Sequence, residues 1–266
     1  QELAFDGVGR DVVVVNAGTI VIGSLGSNTH LRAESPTTLS GGGTIAMLPE
    51  PTTWFTPFLL ENLDNTIQGG GNLGDGFFPM VNAGEIVANS AATALIVDAD
   101  FVWGLGNSGD MRAESGGTLN LWNGTFGNQG GTIRALDGST VVVHNSIVSG
   151  GTLDTEGTGA MRSAFAAEFN GATLGPLTNL GVFEVTDGTT LYTTGEIVNQ
   201  GIIFVRSLGA ATYLAPYGGA TTLTGGGDVA LDGSVSDLNT VASSDGGSLT
   251  NVDNWIYGAG TIGSTT

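Results

Sequence analysis

Short runs of alternating apolar and polar residues fill most of the chain, separated by glycine-rich turns rather than long polar loops. Between Gly116 and Thr155 they read TLNLW, GTIRA, STVVVHN and GGTLDT, with Gly-Asn-Gln-Gly, Asp-Gly and Ser-Gly-Gly between them. Alternation with period two marks a strand with one buried face. Strands this short cannot bury a face alone. Stacked on one another, they place Leu119, Leu121, Phe126, Ile133, Ala135, Val141, Val143, Ile147 and Leu153 in one continuous core.

A nine-residue phrase recurs as LRAESPTTL at Leu31–Leu39, MRAESGGTL at Met111–Leu119 and IRALDGSTV at Ile133–Val141, with a looser copy, FEVTDGTTL, at Phe183–Leu191. Alternation puts Leu31, Ala33 and Leu39 on one side and Arg32 on the other. Ser-Pro, Ser-Gly and Asp-Gly are turn pairs, so each copy is strand, tight turn, strand. A second phrase, Asn-x-Gly-x-Ile, appears at Asn16, Asn82 and Asn199, with a longer variant at Asn128. Glycine supplies positive φ, Asn tolerates it, and successive Asn side chains on stacked coils can hydrogen-bond in ladders.

A longer repeat ties the two halves of the chain together. Leu60–Gly74, LENLDNTIQGGGNLG, returns as Leu249–Gly263, LTNVDNWIYGAGTIG, with eight of fifteen positions identical. Thr37–Leu48, TTLSGGGTIAML, returns as TTLTGGGDVAL at Thr221–Leu231. Repetition of one phrase in one chain direction favours parallel stacking over an antiparallel sandwich. A rung of about 20 residues gives about a dozen rungs, and a strand spacing of ~4.8 Å makes the rod about 60 Å long. The expected architecture is therefore all-β, a single parallel β-helix (β-solenoid) domain over residues 1–266. Three stretches break the rhythm and are expected as loop excursions near residues 49–60, 160–180 and 208–220. Within the second, Met161–Asn170 is the one candidate helix.

Composition narrows the function. Six arginines, no lysine and 25 acidic residues give a formal charge of −19. Nucleic acids and anionic membrane surfaces both need clustered cations, so neither is an expected partner. No apolar run is long enough for a membrane-spanning helix. The absence of cysteine removes disulfides, Cys-ligated zinc and thiol catalysis. The chain opens on Gln1 without a signal peptide, which reads as a mature or excised segment.

Candidate chemistry is sparse. Arg32, Arg112 and Arg134 share one repeat position, the mark of a structural slot pairing with acids such as Glu34 or Glu114. Hydrolases need two carboxylates facing across a groove; Asp75, Asp98 and Asp100 are the candidates. His30 and His144 are isolated. Gly69-Gly70-Gly71 and Gly225-Gly226-Gly227-Asp228 are single occurrences, not tandem calcium repeats, so no cofactor is expected and calcium would bind only adventitiously at stacked acids. Trp54, Phe55 and Phe58 form a candidate ligand or packing patch.

The phrases NxGxI, IRAxxGGTL, SGGTL and LTNVDNxIxGxG resemble those of large secreted bacterial repeat proteins, over roughly residues 12–150 and 180–263. These are the β-helical passenger regions of autotransporters and the filamentous-haemagglutinin-type adhesins. The resemblance implies a right-handed parallel β-helix, extracellular or on a bacterial cell surface. The chain departs from complete members in lacking an N-terminal secretion domain and a C-terminal membrane barrel. The expected function is a non-enzymatic structural subunit that polymerises head to tail. The C-terminal repeat copy breaks off in mid-phrase, and Val12–Val21, VVVVNAGTIV, supplies the missing half. The expected interface comprises Val12, Val13, Val14, Val15 and Asn16 at one end, and Val252, Trp255, Ile256, Tyr257 and Ile262 at the other. An adhesin or glycan-binding segment of a larger surface protein is the alternative, and a polysaccharide-degrading β-helix enzyme the third reading.

Overall fold

A computed structural model describes residues 2–7, 10–23, 27–234 and 238–263. Among these, twenty-nine strands form one sheet with parallel neighbours and no α-helix occurs. The strands stack as a β-solenoid of about 11 turns. Asn62, Asn82, Asn107 and Asn128 sit at equivalent places on successive turns, 20, 25 and 21 residues apart. Each turn lays down three strands, on faces we label A, B and C. For the first full turn these are Val12–Val15, Thr19–Ile22 and the first half of Thr29–Ser40.

Strict register turns the alternation into columns. On face B, Ile20, Ile45, Ile67, Ile86, Met111, Ile133 and Leu153 stand one above another. On face C the column runs Leu95, Leu119, Val141, Met161, Phe183, Ile203, Val229, Ile256. Between Ile45 and Val229 no member of either column is more than 2% exposed. Each such side chain contributes about 1.5–3 kcal/mol relative to exposure. Of the core expected over Gly116–Thr155, all but Ile147 is buried. Ile147 pairs with Thr125 below and Glu168 above, and all three point outward on face A.

Most of each expected excursion is instead part of the rod. Thr53–Asn62, Ala160–Gly171 and Thr212–Thr224 are strands paired with neighbouring turns, with a register shift where each pairing rounds a corner. Residues 49–52, 172–176 and 208–211 lie outside strands. Proline is tolerated because it sits at interruptions of the ladder: Pro36 lies at the register shift of Thr29–Ser40, and Pro216 at that of Thr212–Thr224. Met161–Asn170 is not helical. Met161, Ser163, Ala167 and Phe169 point inward with strand period, and a corner at Phe165 (φ 62°) turns that side chain out.

The recurring phrases encode corners, not turns. LRAESPTTL and FEVTDGTTL cross from face C to face A, whereas MRAESGGTL and IRALDGSTV cross from B to C. Likewise TTLSGGG turns from A to B, and its copy TTLTGGG from B to C. The long repeat therefore returns in the second half one face further round, whereas FEVTDGTTL keeps the corner of LRAESPTTL.

Buried Asn ladders line these corners. At the A–B corner, Asn62 Nδ2 donates to Asn82 Oδ1, Asn82 to Asn107 and Asn107 to Asn128, at 2.7–2.8 Å. At the B–C corner Asn179 donates to Asn199 at 2.8 Å. Each ladder also leaps over one turn: Asn16 reaches Asn65 at 3.0 Å, and Asn199 reaches Asn254 at 2.8 Å. The triple glycines occupy the skipped turns. A Cβ at Gly43 would strike the carbonyl O and Nδ2 of Asn16, and one at Gly227 the carbonyl O of Asn199. Asp64 accepts from Gly42 N–H at 3.0 Å and Asp253 from Gly226 N–H at 3.1 Å. This explains why the GGG and NxDN phrases travel together. Gly43→Ala should cost about 1–3 kcal/mol by overpacking, as should Gly227→Ala. Gly42→Ala has open space and meets only its positive φ, costing about 1 kcal/mol. Urea denaturation of the three variants checks the ranking.

Candidate functional site

At both ends the columns stop with their last side chains uncovered. Among the described residues, Glu2–Phe5, Val12–Val15 and Thr19–Ile22 pair only with the turn above them, and Ser248–Asn251, Trp255–Gly258 and Thr261–Ile262 only with the turn below. Val14 and Ile20 are half-buried, while Leu39 and Ile45, stacked on them, are fully buried. At the other end Ile262 is 61% exposed over the buried Val241. Hollows of about 190 Å³ beside Leu3, Ile20 and Leu31, and of about 400 Å³ beside Val241, Leu249 and Ile256, open into the core.

The expected interface residues divide by direction. Val12, Val14, Ile256 and Ile262 belong to inward columns and face the open ends. Val13 and Val15 alternate with them and point sideways, as do Trp255 and Tyr257, whose rings lie 5.2 Å apart. Val252 is exposed at a corner, and Asn16 is buried at the foot of its ladder.

Trp54, Phe55 and Phe58 do not form one patch. Trp54 stacks on His30, with ring centroids 6.0 Å apart and planes 6° apart. Phe55 is fully buried in the column between Leu31 and Leu73. Phe58 lies at a corner against Phe78, 4.6 Å away. The strand period missed in Pro49–Leu60 would have separated them.

A lateral aromatic surface on face A carried no warning in the repeats. Thr125, Ile147, Glu168 and Tyr192 point outward in register on successive turns. Beside them stands the Phe101–Trp103 loop, capped by Asp100, which accepts from the Val102 and Trp103 amides. The Thr125 hydroxyl ties the loop down through Phe101 O at 3.0 Å. A groove of about 260 Å³ results, lined by Phe101, Asn145, Ile147, Glu168, Tyr192 and Tyr217. The two tyrosine rings meet at 5.1 Å and 59°. Burial holds the Glu168 carboxyl above the usual range, against the lowering effect of Asn170 Nδ2, which donates to it at 3.1 Å. Nearby, His144 is sandwiched between Trp122 at 3.7 Å and Phe165 at 4.9 Å, and burial lowers its pKa.

The arginines pair with acids elsewhere on the rod. Arg112 joins Asp110, Glu114 and Glu85 at 2.7–3.2 Å, and Asp110 also holds Arg134 at 2.9 Å. Arg32 pairs with Glu2 and Glu34 on a different face, since its copy of the phrase sits at a different corner. Desolvation, with repulsion from Asp75, raises the pKa of Asp98. Among the described residues no three His, Asp or Glu side chains gather to hold a metal ion. No protein-family model matches the chain, and neither curated proteins nor solved structures yield a significant match.

Proposed function

We propose that this chain is a non-enzymatic structural β-solenoid whose open end turns stack on those of further copies, forming a rod longer than one chain. What supports the reading is the ends: inward side chains of columns buried further along the rod are half-buried or exposed there, on strands that pair on one side only among the described residues. Such edges invite pairing unless covered. A contact between two different ends of one molecule is heterologous and propagates. Location outside the cell, on a surface of bacterial type, belongs to the same proposal, with the high acidic charge favouring solubility and spacing between rods.

Concentrated protein should form unbranched fibres by negative-stain microscopy. Val14→Asp and Ile262→Asp each spoil one end, so each variant alone should remain monomeric. Their mixture retains one good end of each kind and should give dimers in analytical ultracentrifugation, but no fibres. Wild-type protein that stays monomeric at high concentration would sink the proposal.

A further inference from the structure

We infer that the lateral groove on face A binds a small organic ammonium cation, its alkyl groups against Tyr192 and Tyr217 and its charge beside Glu168. The inference is independent of end-to-end stacking. Glu168 sits half out of water on the outer side of its strand, and its one hydrogen bond comes from a neutral amide. Among the described residues no arginine pairs with it: the ion pairs of Arg32, Arg112, Arg134 and Arg206 all go to other acids. A partly desolvated carboxylate without a counter-charge is costly, and a cation in the groove removes that cost.

The walls select which cation. Aromatic faces carry negative potential and attract a cation within about 6 Å of the ring centre. The two tyrosines form a corner beside Glu168, and Phe101, exposed on its loop, lines the groove further down the rod. A bare metal ion is poorly served, because the groove offers one carboxylate and otherwise a mostly apolar lining. An anion meets a chain of charge −19 and a groove without arginine among its lining residues. An uncharged apolar ligand would bury Glu168 further with nothing in exchange. An alkylated ammonium satisfies both the rings and the carboxylate.

Choline and its uncharged carbon isostere, 3,3-dimethylbutan-1-ol, separate the alternatives in titration calorimetry. Choline should bind saturably and at least about tenfold more tightly than the alcohol. Glu168→Gln keeps the shape and an acceptor for Asn170, and should lose about tenfold or more of choline affinity with an unchanged circular dichroism spectrum. Because the variant removes one of 25 acidic residues, general attraction of cations to the surface cannot account for such a loss. Tyr192→Leu, altering an outward side chain, should weaken choline comparably. Equal binding of choline and the alcohol, tighter binding of a neutral sugar such as cellobiose, unaltered affinity in Glu168→Gln, or no saturable choline binding would each overturn the inference.

Discussion

Asn107→Ala should destabilise the rod by about 2–5 kcal/mol, although it removes a small polar group from a large apolar core. Asn107 Nδ2 serves Gly109 O and Asn128 Oδ1, at 3.2 and 2.7 Å, while its Oδ1 accepts from Asn82 at 2.8 Å. Truncation leaves the Asn128 acceptor and one Asn82 donor buried and deprived of these partners. The cost is mainly that of stranded groups rather than of the bonds themselves. Replacing Asn62, Asn82, Asn107 and Asn128 together by valine should therefore cost less per site than the single break. Hydrogen exchange should localise the loss in Asn107→Ala to the A–B corner, with amides such as Ser108 and Gly109, which donate to Asn82 O, exchanging first.

Phe126→Ala should cost about 3–5 kcal/mol. The ring is fully buried in the face A column between Leu105 below and Val148 above. Parallel in-register backbone limits how far neighbouring turns can close on the space, so relaxation is small. In a rod where each turn touches mainly its neighbours, stability is approximately a sum of local terms. The damage should therefore appear as broadened urea unfolding with early exchange around Leu105–Val148, rather than as uniform loosening. A sharp two-state transition with unchanged midpoint would contradict this.

Most of the architecture could be read from the residues because a β-solenoid repeats a local rule. Leu31, Ala33 and Leu39 face inward with Arg32 outward, as alternation requires, and the Asn ladders exist. The failures share one cause: a corner resets the inward–outward assignment, and not every corner is marked by glycine. Phe165 turns a corner in the left-handed region, a strained place for a bulky residue, so Met161–Asn170 reads misleadingly as helical spacing. Unbroken alternation from Val141 and Val143 would carry Ile147 inward, but the corner at Asn145 (φ 49°) intervenes. The stretches near 49–60 and 208–220 break the rhythm, yet Pro57 and Pro216 lie inside paired strands, each beside the register shift of a corner. The lateral groove was illegible for a different reason. It is assembled from Phe101, Glu168, Tyr192 and Tyr217, which come from separate turns and belong to no repeated phrase.

The migration of the phrases from one corner to the next bears on how such a chain can lengthen. Because a phrase specifies a bend plus a strand, the smallest viable insertion is a third of a turn, not a whole coil. Gaining one such unit would leave every downstream strand with a competent partner while changing the azimuth of everything beyond it. Two surface features that share a side of the rod could thus be swung apart, or brought into line, without altering a single residue of either.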